Sequence, residues 1–294
     1  MSGKLKEVRE RMKSVSSTQQ ITKAMKMVSA AKLRKAQDAI VRMRPYADKL
    51  NYMLRNVLSA VEGDVSISFG KERPVQHATI VVITSNRGLA GAFNTNIIKA
   101  AVREIENQFS AQRAAGKLTI LPIGKKGYDF FRRNYKDCRI IKDYITLFDN
   151  LEFDHTVVVP RLLMDQFSKG ETDSIMIFYG RFKNAATQFA ETVQYLPVPK
   201  IETGATRRVD YIFEPEKDIL LNTLIPSILE VQFQKFLLDT HASEHGARMT
   251  AMDKATTNAD DMLSALKISY NNARQEAITK ELSEIVGGAA ALGG

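Results

Sequence analysis

The chain has 294 residues, 44% hydrophobic and 26% charged, enough for one large core or two smaller ones. No apolar run approaches the about eighteen residues of a membrane-spanning helix, and the single Cys138 excludes an intramolecular disulfide, which suits a reducing compartment. The net charge of +9 is unevenly divided: residues 1–60 carry 14 Lys/Arg against 4 Asp/Glu, residues 61–213 carry 21 against 17, and residues 214–294 carry 7 against 12. Ends of opposite sign fit two helices packed on each other better than a nucleic-acid footprint.

The opening MSGKLKEVRERMKS has no apolar signal segment and reads as mature sequence. Leu5, Val8, Met12 and Val15 step by three and four, and the same register returns at Leu33, Ala36, Ile40, Met43, Ala47, Leu50, Leu54 and Val57. That is the seam of a coiled coil. Between the two runs Gln19, Thr22, Lys26 and Ser29 occupy the frame while Ile21, Met25 and Val28 lie off it, so the stripe is expected to shift around the helix there. Pro45 is the one breaker before residue 58, and the register continues across it. The spacing predicts a bent but continuous helix, roughly 85 Å long.

Residues 77–212 follow a different pattern. ATIVVITS (78–85), KLTILPIG (117–124) and DSIMIFYGRF (173–182) read as buried strands, and TQFAETVQYLPV (187–198) alternates like an edge strand. NRGLAGAFN leads into an apolar-periodic segment to about Phe109, KKGYDFFRRNY reads as helix, and TVVVPRLLMDQFSKG leans helical. Strands alternating with helices predict a largely parallel α/β sheet.

The C-terminal stretch repeats the heptad at Met249, Met252, Thr256, Ala259, Leu263, Leu266, Tyr270, Ala273 and Ala277, with Leu224, Ile228, Val231, Leu238 and Ala242 extending it backwards. Only Gly246 interrupts the span from Ser227 to Val286, which predicts a second helix of about 60 residues. Its seam is small and polar, allowing close approach with little burial. The fold expected is an α/β insert domain on a long antiparallel two-helix coiled coil, divided as 1–60, 77–212 and 216–288. The tail GGAAALGG carries no charge, so it is either idle or made to touch a smooth apolar surface.

Three local motifs bear on chemistry. SNRGLAGAFN (85–94) follows a strand and precedes a helix, where phosphate loops sit, yet its G-x-x-G spacing matches neither dinucleotide nor Walker loops. A tight turn using Gly88 and Gly91 explains it. HASEH (241–245) matches the inverted zinc-protease pattern and puts two imidazoles one turn apart, but in a coiled-coil helix without an evident third ligand. The basic run KAMKMVSAAKLRKAQ (23–37) has no interleaved aromatic to stack on a base, and a partner-facing or solvated surface accounts for it. A coiled-coil adaptor or nucleic-acid binder using this helix, and a small-molecule enzyme in the insert, stay open as alternatives.

The segments RMKSVSSTQQITKAMKMVSAAKLRKAQ, VVITSNRGLAGAFNTNI, EHGARMTAMDKATTNA and YNNARQEAITKELSEIVGGAA resemble the gamma subunit of bacterial F-type ATP synthases. Ile278, Thr279, Glu281, Glu284, Gly288 and Ala289 fit that family's terminal signature. The resemblance implies a central-stalk rotor subunit of a proton-translocating ATP synthase, one copy per complex. It implies partners in three alpha and three beta subunits, an epsilon subunit and the membrane c-ring, with no nucleic acid. It further implies no bond chemistry, no cofactor or metal, and a peripheral position on the cytoplasmic face of the bacterial inner membrane. By the same resemblance Arg274, Gln275, Thr279 and Glu281 match residues that touch the alpha and beta loops gripping the shaft, and Met25 with Lys26 lies in the neighbouring contact zone. The tail would continue the longer helix into a sleeve in which small residues act as a bearing.

Overall fold

The computed structural model describes residues 3–59, 69–70, 72–198 and 217–292, with side chains masked at 51, 54–59, 217–222 and 290–292. The seam positions Leu54 and Val57, the expected boundaries at 60, 212 and 216, and the final two residues of the tail lie outside this description. The chain divides into two compact units, Met1–Ser29 with Met249–Gly294, and Ala30–Arg248. Helix α1 (Gly3–Ser59) and helix α7 (Lys217–Leu292) each contribute to both.

In the first unit the two helices run antiparallel. Lys4 bonds Glu276, Arg9 bonds Tyr270, Gln19 bonds Asp260, Thr22 bonds Thr256 and Lys26 bonds Asp253, each step up α1 matched by a step down α7. The α7 stripe from Met249 to Ala277 is the seam that its heptads predict, buried at Met252, Ala259 and Ala273 and half-buried between. The α1 stripe differs from expectation, because it does not shift between Gln19 and Ser29. Thr22 and Ser29 are buried and Gln19 and Lys26 half-buried, whereas Ile21 and Val28 are 59% and 57% exposed. Hydrogen bonding supplies the reason. Gln19, Thr22 and Lys26 each find a polar partner across the seam, which removes the desolvation cost that apolar periodicity assumes.

The second unit is built on a five-stranded sheet of order β3-β2-β1-β4-β5. Strands β1 (Ala78–Ile83), β2 (Leu118–Ile123), β3 (Arg139–Ile140) and β4 (Ser174–Phe182) are parallel, and β5 (Gln188–Leu196) closes one edge antiparallel to β4. Between them run α2 (Phe93–Gln108), α3 (Ser110–Ala114), α4 (Lys125–Asn134), α5 (Phe153–Thr156) and α6 (Val158–Ser168). The four strands read from the sequence are present; β3, two residues long, is below the reach of periodicity.

Alternation along each strand feeds two cores. Ala78, Ile80, Val82, Leu118, Ile120, Met176 and Phe178 meet Phe93, Ile97, Ala101 and Ile105 of α2 and Phe131 of α4 on one face. Val81, Ile83, Leu121, Ile123, Ile175, Ile177 and Tyr179 face the opposite way, onto α6 and onto Ile225–Leu237 of α7, with Leu50 of α1. This corrects the reading of Leu224, Ile228 and Val231 as coiled-coil seam alone. It also explains why α7 spans 76 residues and begins before Pro226. Between Leu224 and Arg248 only Lys235 is exposed, so packing on several sides outweighs the roughly 3 kcal/mol that an interior proline costs. Helix α1 is likewise continuous through Pro45, as its register predicts.

The turn from β2 into α4 leaves no room for a side chain. Gly124 has φ +93°, and a Cβ there would lie 2.1 Å from the Thr84 carbonyl oxygen, while the Thr84 hydroxyl accepts from the Gly127 amide at 2.8 Å. Gly124→Ala is expected to cost about 3 kcal/mol through strain and displaced backbone. A thermal melt followed by circular dichroism checks this, and an unchanged midpoint would refute the crowding.

Candidate functional site

Two places gather the residues that the sequence singled out. The first is the outer surface of the paired helices in the first unit. Lys26 is half-buried and paired with Asp253 at 2.5 Å, Met25 is half-buried beside it, and Arg274, Gln275, Thr279 and Glu281 are all exposed on α7. Beyond the Lys4–Glu276 pair, α7 proceeds without α1, and Ile278, Leu282, Ile285 and Val286 are 49–68% exposed. Their spacing of four, three and one puts them on one stripe. The helix runs through Gly287 and Gly288 to Leu292 with nothing packed against either glycine.

The pairs along this unit are exposed, with side chains 43% and 56% accessible at Lys26–Asp253 and 63% each at Lys4–Glu276. Such pairs contribute at most about 1 kcal/mol each, so they set orientation more than stability. The basic run is divided in its use. Lys26 meets Asp253, Lys32 and Lys35 act electrostatically on His241, and Lys23 and Arg34 stay exposed.

The second place lies in the other unit, at the carboxyl ends of β1 and β4. Strand order reverses there, which in open α/β sheets makes the crevice that takes ligands. The turn SNRGLAGAFN does follow β1 and open α2. Ser85 N–H donates to Asn94 Oδ1 at 2.9 Å, and Asn86 Oδ1 accepts from Lys125 N–H at 3.1 Å. Gly91 has φ +57°, as a tight turn requires, but the second left-handed residue is Leu89 at +61° rather than Gly88. A branched residue in that region is held by its surroundings. Here the holder is Arg248, whose Nε and Nη2 donate to the Gly88 carbonyl at 3.2 Å and whose Nη2 donates to the Arg87 carbonyl at 3.1 Å.

Arg248 also pairs with Glu244 at 2.7 Å, both 8% accessible. Removing one member of such a buried pair costs about 3–5 kcal/mol, several times what the exposed pairs supply. One turn before Arg248, His245 faces it with Nδ1 at 3.3 Å, and its Nε2 is 3.1 Å from that of His241, which stacks on Phe148. Burial with nearby cations holds both imidazoles neutral, His241 down to about 4 and His245 to about 3, and burial pushes the Glu244 carboxyl up against the pull of Arg248. Glu244 is thus engaged by Arg248 and not free to act as a base on a metal-bound water. Among the described residues no group of three His, Cys, Asp or Glu could hold a metal ion.

Sequence reasoning missed Thr240, Ser243 and Arg248 as a group. One signal was available: Gly180 inside a strand marks a close approach of another element. That element is α7.

A family model described as ATP synthase matches residues 4–292. The chain is 51% identical over 292 residues to an ATP synthase gamma chain of Cytophaga hutchinsonii, covering 98% of each. It is also 51% identical over 292 residues to one of Flavobacterium psychrophilum, covering 99% of each. Its fold is similar to that of a chain solved in the Euglena gracilis mitochondrial ATP synthase with its c-ring, with TM-score 0.67 and 22% identity over 99% of this chain and 95% of that one.

The neutral histidine pair makes stability depend on acid. Both imidazoles take up protons in the unfolded chain near the ordinary 6.5 but only near 4 and 3 when folded, so the stability they permit is full above pH 6.5 and is lost as pH falls towards those values. Asp239, raised to about 6 by burial, acts in the opposite direction below pH 6, so the test is a difference between proteins. The His245→Gln variant is expected to narrow its stability gap to the native chain by about 2 kcal/mol between pH 7.5 and 5 in urea titrations. A gap that stays constant would show that His245 takes up its proton as readily in the fold as in the unfolded chain.

Proposed function

We propose that this chain, which belongs to the ATP synthase gamma-chain family, works as the central-stalk rotor subunit of an F-type ATP synthase. It transmits torque between the membrane c-ring and the catalytic ring of alpha and beta subunits, three of each, and couples proton flow to ATP synthesis or hydrolysis. One copy serves each complex, an epsilon subunit joins it at the foot, and the chain itself makes and breaks no bonds. Residues 1–60 and 216–288 act as shaft and residues 77–212 as foot. The complex sits on the cytoplasmic face of a bacterial inner membrane, where the chain is peripheral; among its described residues no helix is long and apolar enough to cross a membrane.

The observation that carries this reading is the state of α7 beyond Ala277. It has left α1, it remains helical to Leu292, and it presents an apolar stripe from Ile278 to Val286 with small residues after it. An unpartnered stripe of this kind lowers solubility unless something encloses it, and a ring of subunits gripping a shaft would enclose it. The physical demands of a rotor agree. Two helices pressed along a seam resist twisting better than one, and a shaft that meets three equivalent partners must be uneven around its circumference. Ile21 and Val28, exposed on one helix among polar residues, supply such unevenness. Arg274, Gln275, Thr279 and Glu281, with Met25 and Lys26, are the residues assigned to the alpha and beta contacts.

The decisive experiment is a pull-down of the tagged full-length chain under mild detergent. Alpha and beta subunits are expected with it in threefold excess, and their absence would sink the rotor reading. Within the assembled complex, Arg274→Ala with Gln275→Ala is expected to lower ATP hydrolysis or complex yield, whereas deletion from Ala289 onward should reduce yield more than turnover. Native activity and native yield in the double variant would remove those two residues from the contact.

A further inference from the structure

The crevice at the strand-order reversal is filled by the chain's own helix. Strand β4 continues past the end of β1, whose pairing with it stops at Val82 and Phe178. Gly180, two residues on, would therefore have a backbone amide and carbonyl to satisfy on that side. Helix α7 takes both. Thr240 Oγ1 accepts from the Gly180 N–H at 3.3 Å, and Ser243 Oγ donates to the Gly180 carbonyl at 3.0 Å, with both hydroxyl residues fully buried. Gly180 is crowded from two elements: a Cβ there would lie 2.5 Å from the Phe93 ring of α2 and 3.3 Å from Ser243 Cβ of α7. Farther along α7, Arg248 grips the carbonyls of Arg87 and Gly88 at the end of β1, with Glu244 balancing its charge.

Apolar packing from Ile225 to Leu237 already fixes α7 to the sheet, with a single directional bond to a strand among the described residues there, from the Tyr195 hydroxyl of β5 to the Leu229 carbonyl at 2.9 Å; the packing itself is non-directional. It opposes separation more than it opposes rotation of the helix about its own axis. Hydrogen bonds are directional. Bonds from Thr240 and Ser243 to strand β4, and from Arg248 to the turn after β1, fix the angle of α7 against the sheet as well as its position. We propose, resting on the rotor reading above, that this clasp is the joint through which torque passes between the α/β domain and α7. Thr240, Ser243 and Arg248 act in it as positioning residues, with Glu244 holding the Arg248 fork. A torque applied to the sheet turns α7 only as far as the clasp refuses to slip.

The test uses the complete complex in sealed vesicles and compares ATP hydrolysis with ATP-driven proton uptake. Thr240→Val with Ser243→Ala removes both hydroxyls while keeping shape close. Arg248→Met with Glu244→Leu independently removes the buried ion pair without leaving a lone charge. In complexes with native content of the chain, either variant is expected to keep most hydrolysis while proton uptake per ATP falls severalfold. Thr240→Ser with Ser243→Thr, which retains both hydroxyls, should keep the native ratio. A native ratio in both disruptive variants would overturn the proposal, as would equal losses of hydrolysis and uptake that merely follow the amount of assembled chain. Failure of the native chain to bring down alpha and beta subunits would instead count against the rotor reading itself, so the two failures are distinguishable.

Discussion

The structure depends on the double obligation of one helix segment. From Leu224 to Arg248, α7 must satisfy a sheet face on one side and the later part of α1 on another, and only Lys235 reaches solvent freely. A helix in that position cannot be amphipathic in the usual sense, because it has no solvent face to give to polar residues. Several of its polar side chains serve buried groups of neighbouring elements. Gln234 accepts from the Thr156 hydroxyl and donates to the Leu151 carbonyl at 2.7 Å, Thr240 and Ser243 serve Gly180, and Arg248 serves the turn after β1.

The same economy of burial governs charge. Cations and anions are abundant in the chain, yet of the buried ones described Arg248 and Glu244 pair with each other, Asp173 pairs with Arg73, burial raises the Asp239 carboxyl to about 6, and the imidazoles stay neutral. Arg73, bonded to the Phe167 carbonyl at 2.7 Å and ion-paired with Asp173 at 2.6 Å, repeats the arrangement at the opposite end of β4. In the paired helices of the first unit the solution is different. There the seam is thin, the ion pairs are wet, and besides Leu5 and Met252 the buried residues described are alanine, threonine and serine, which let the helices come close.

How much of this was legible depended on the range of the interaction. Heptad stripes and buried strands are local patterns, and Met249–Ala277 and the four longer strands stand where those patterns put them. The polar break in α1 misled because apolar periodicity counts Gln19, Thr22 and Lys26 as outward-facing. Whether they face inward is decided by Asp260, Thr256 and Asp253 more than two hundred residues away. The clasp was hidden for the same reason. Of the contact residues inferred by resemblance, Lys26 and Met25 sit at the seam's edge while Arg274, Gln275, Thr279 and Glu281 are open surface; periodicity could have supplied only the open ones, without saying what they are for.

The filled crevice also bears on the turn that stands in the position of a phosphate loop. Anion loops work by pointing free backbone N–H groups at the ligand. In this turn the Ser85 amide is taken by Asn94 and the neighbouring Lys125 amide by Asn86, while the carbonyls of Arg87 and Gly88 face a guanidinium. Arg248 itself is neutralised by Glu244 from the same helix. The sheet has kept the geometry by which related architectures bind small molecules, and has closed it around a segment of its own chain. Fold and function separate at that point: the crevice that would hold a ligand holds a helix, and what a ligand would gain in affinity this chain uses to fix an angle.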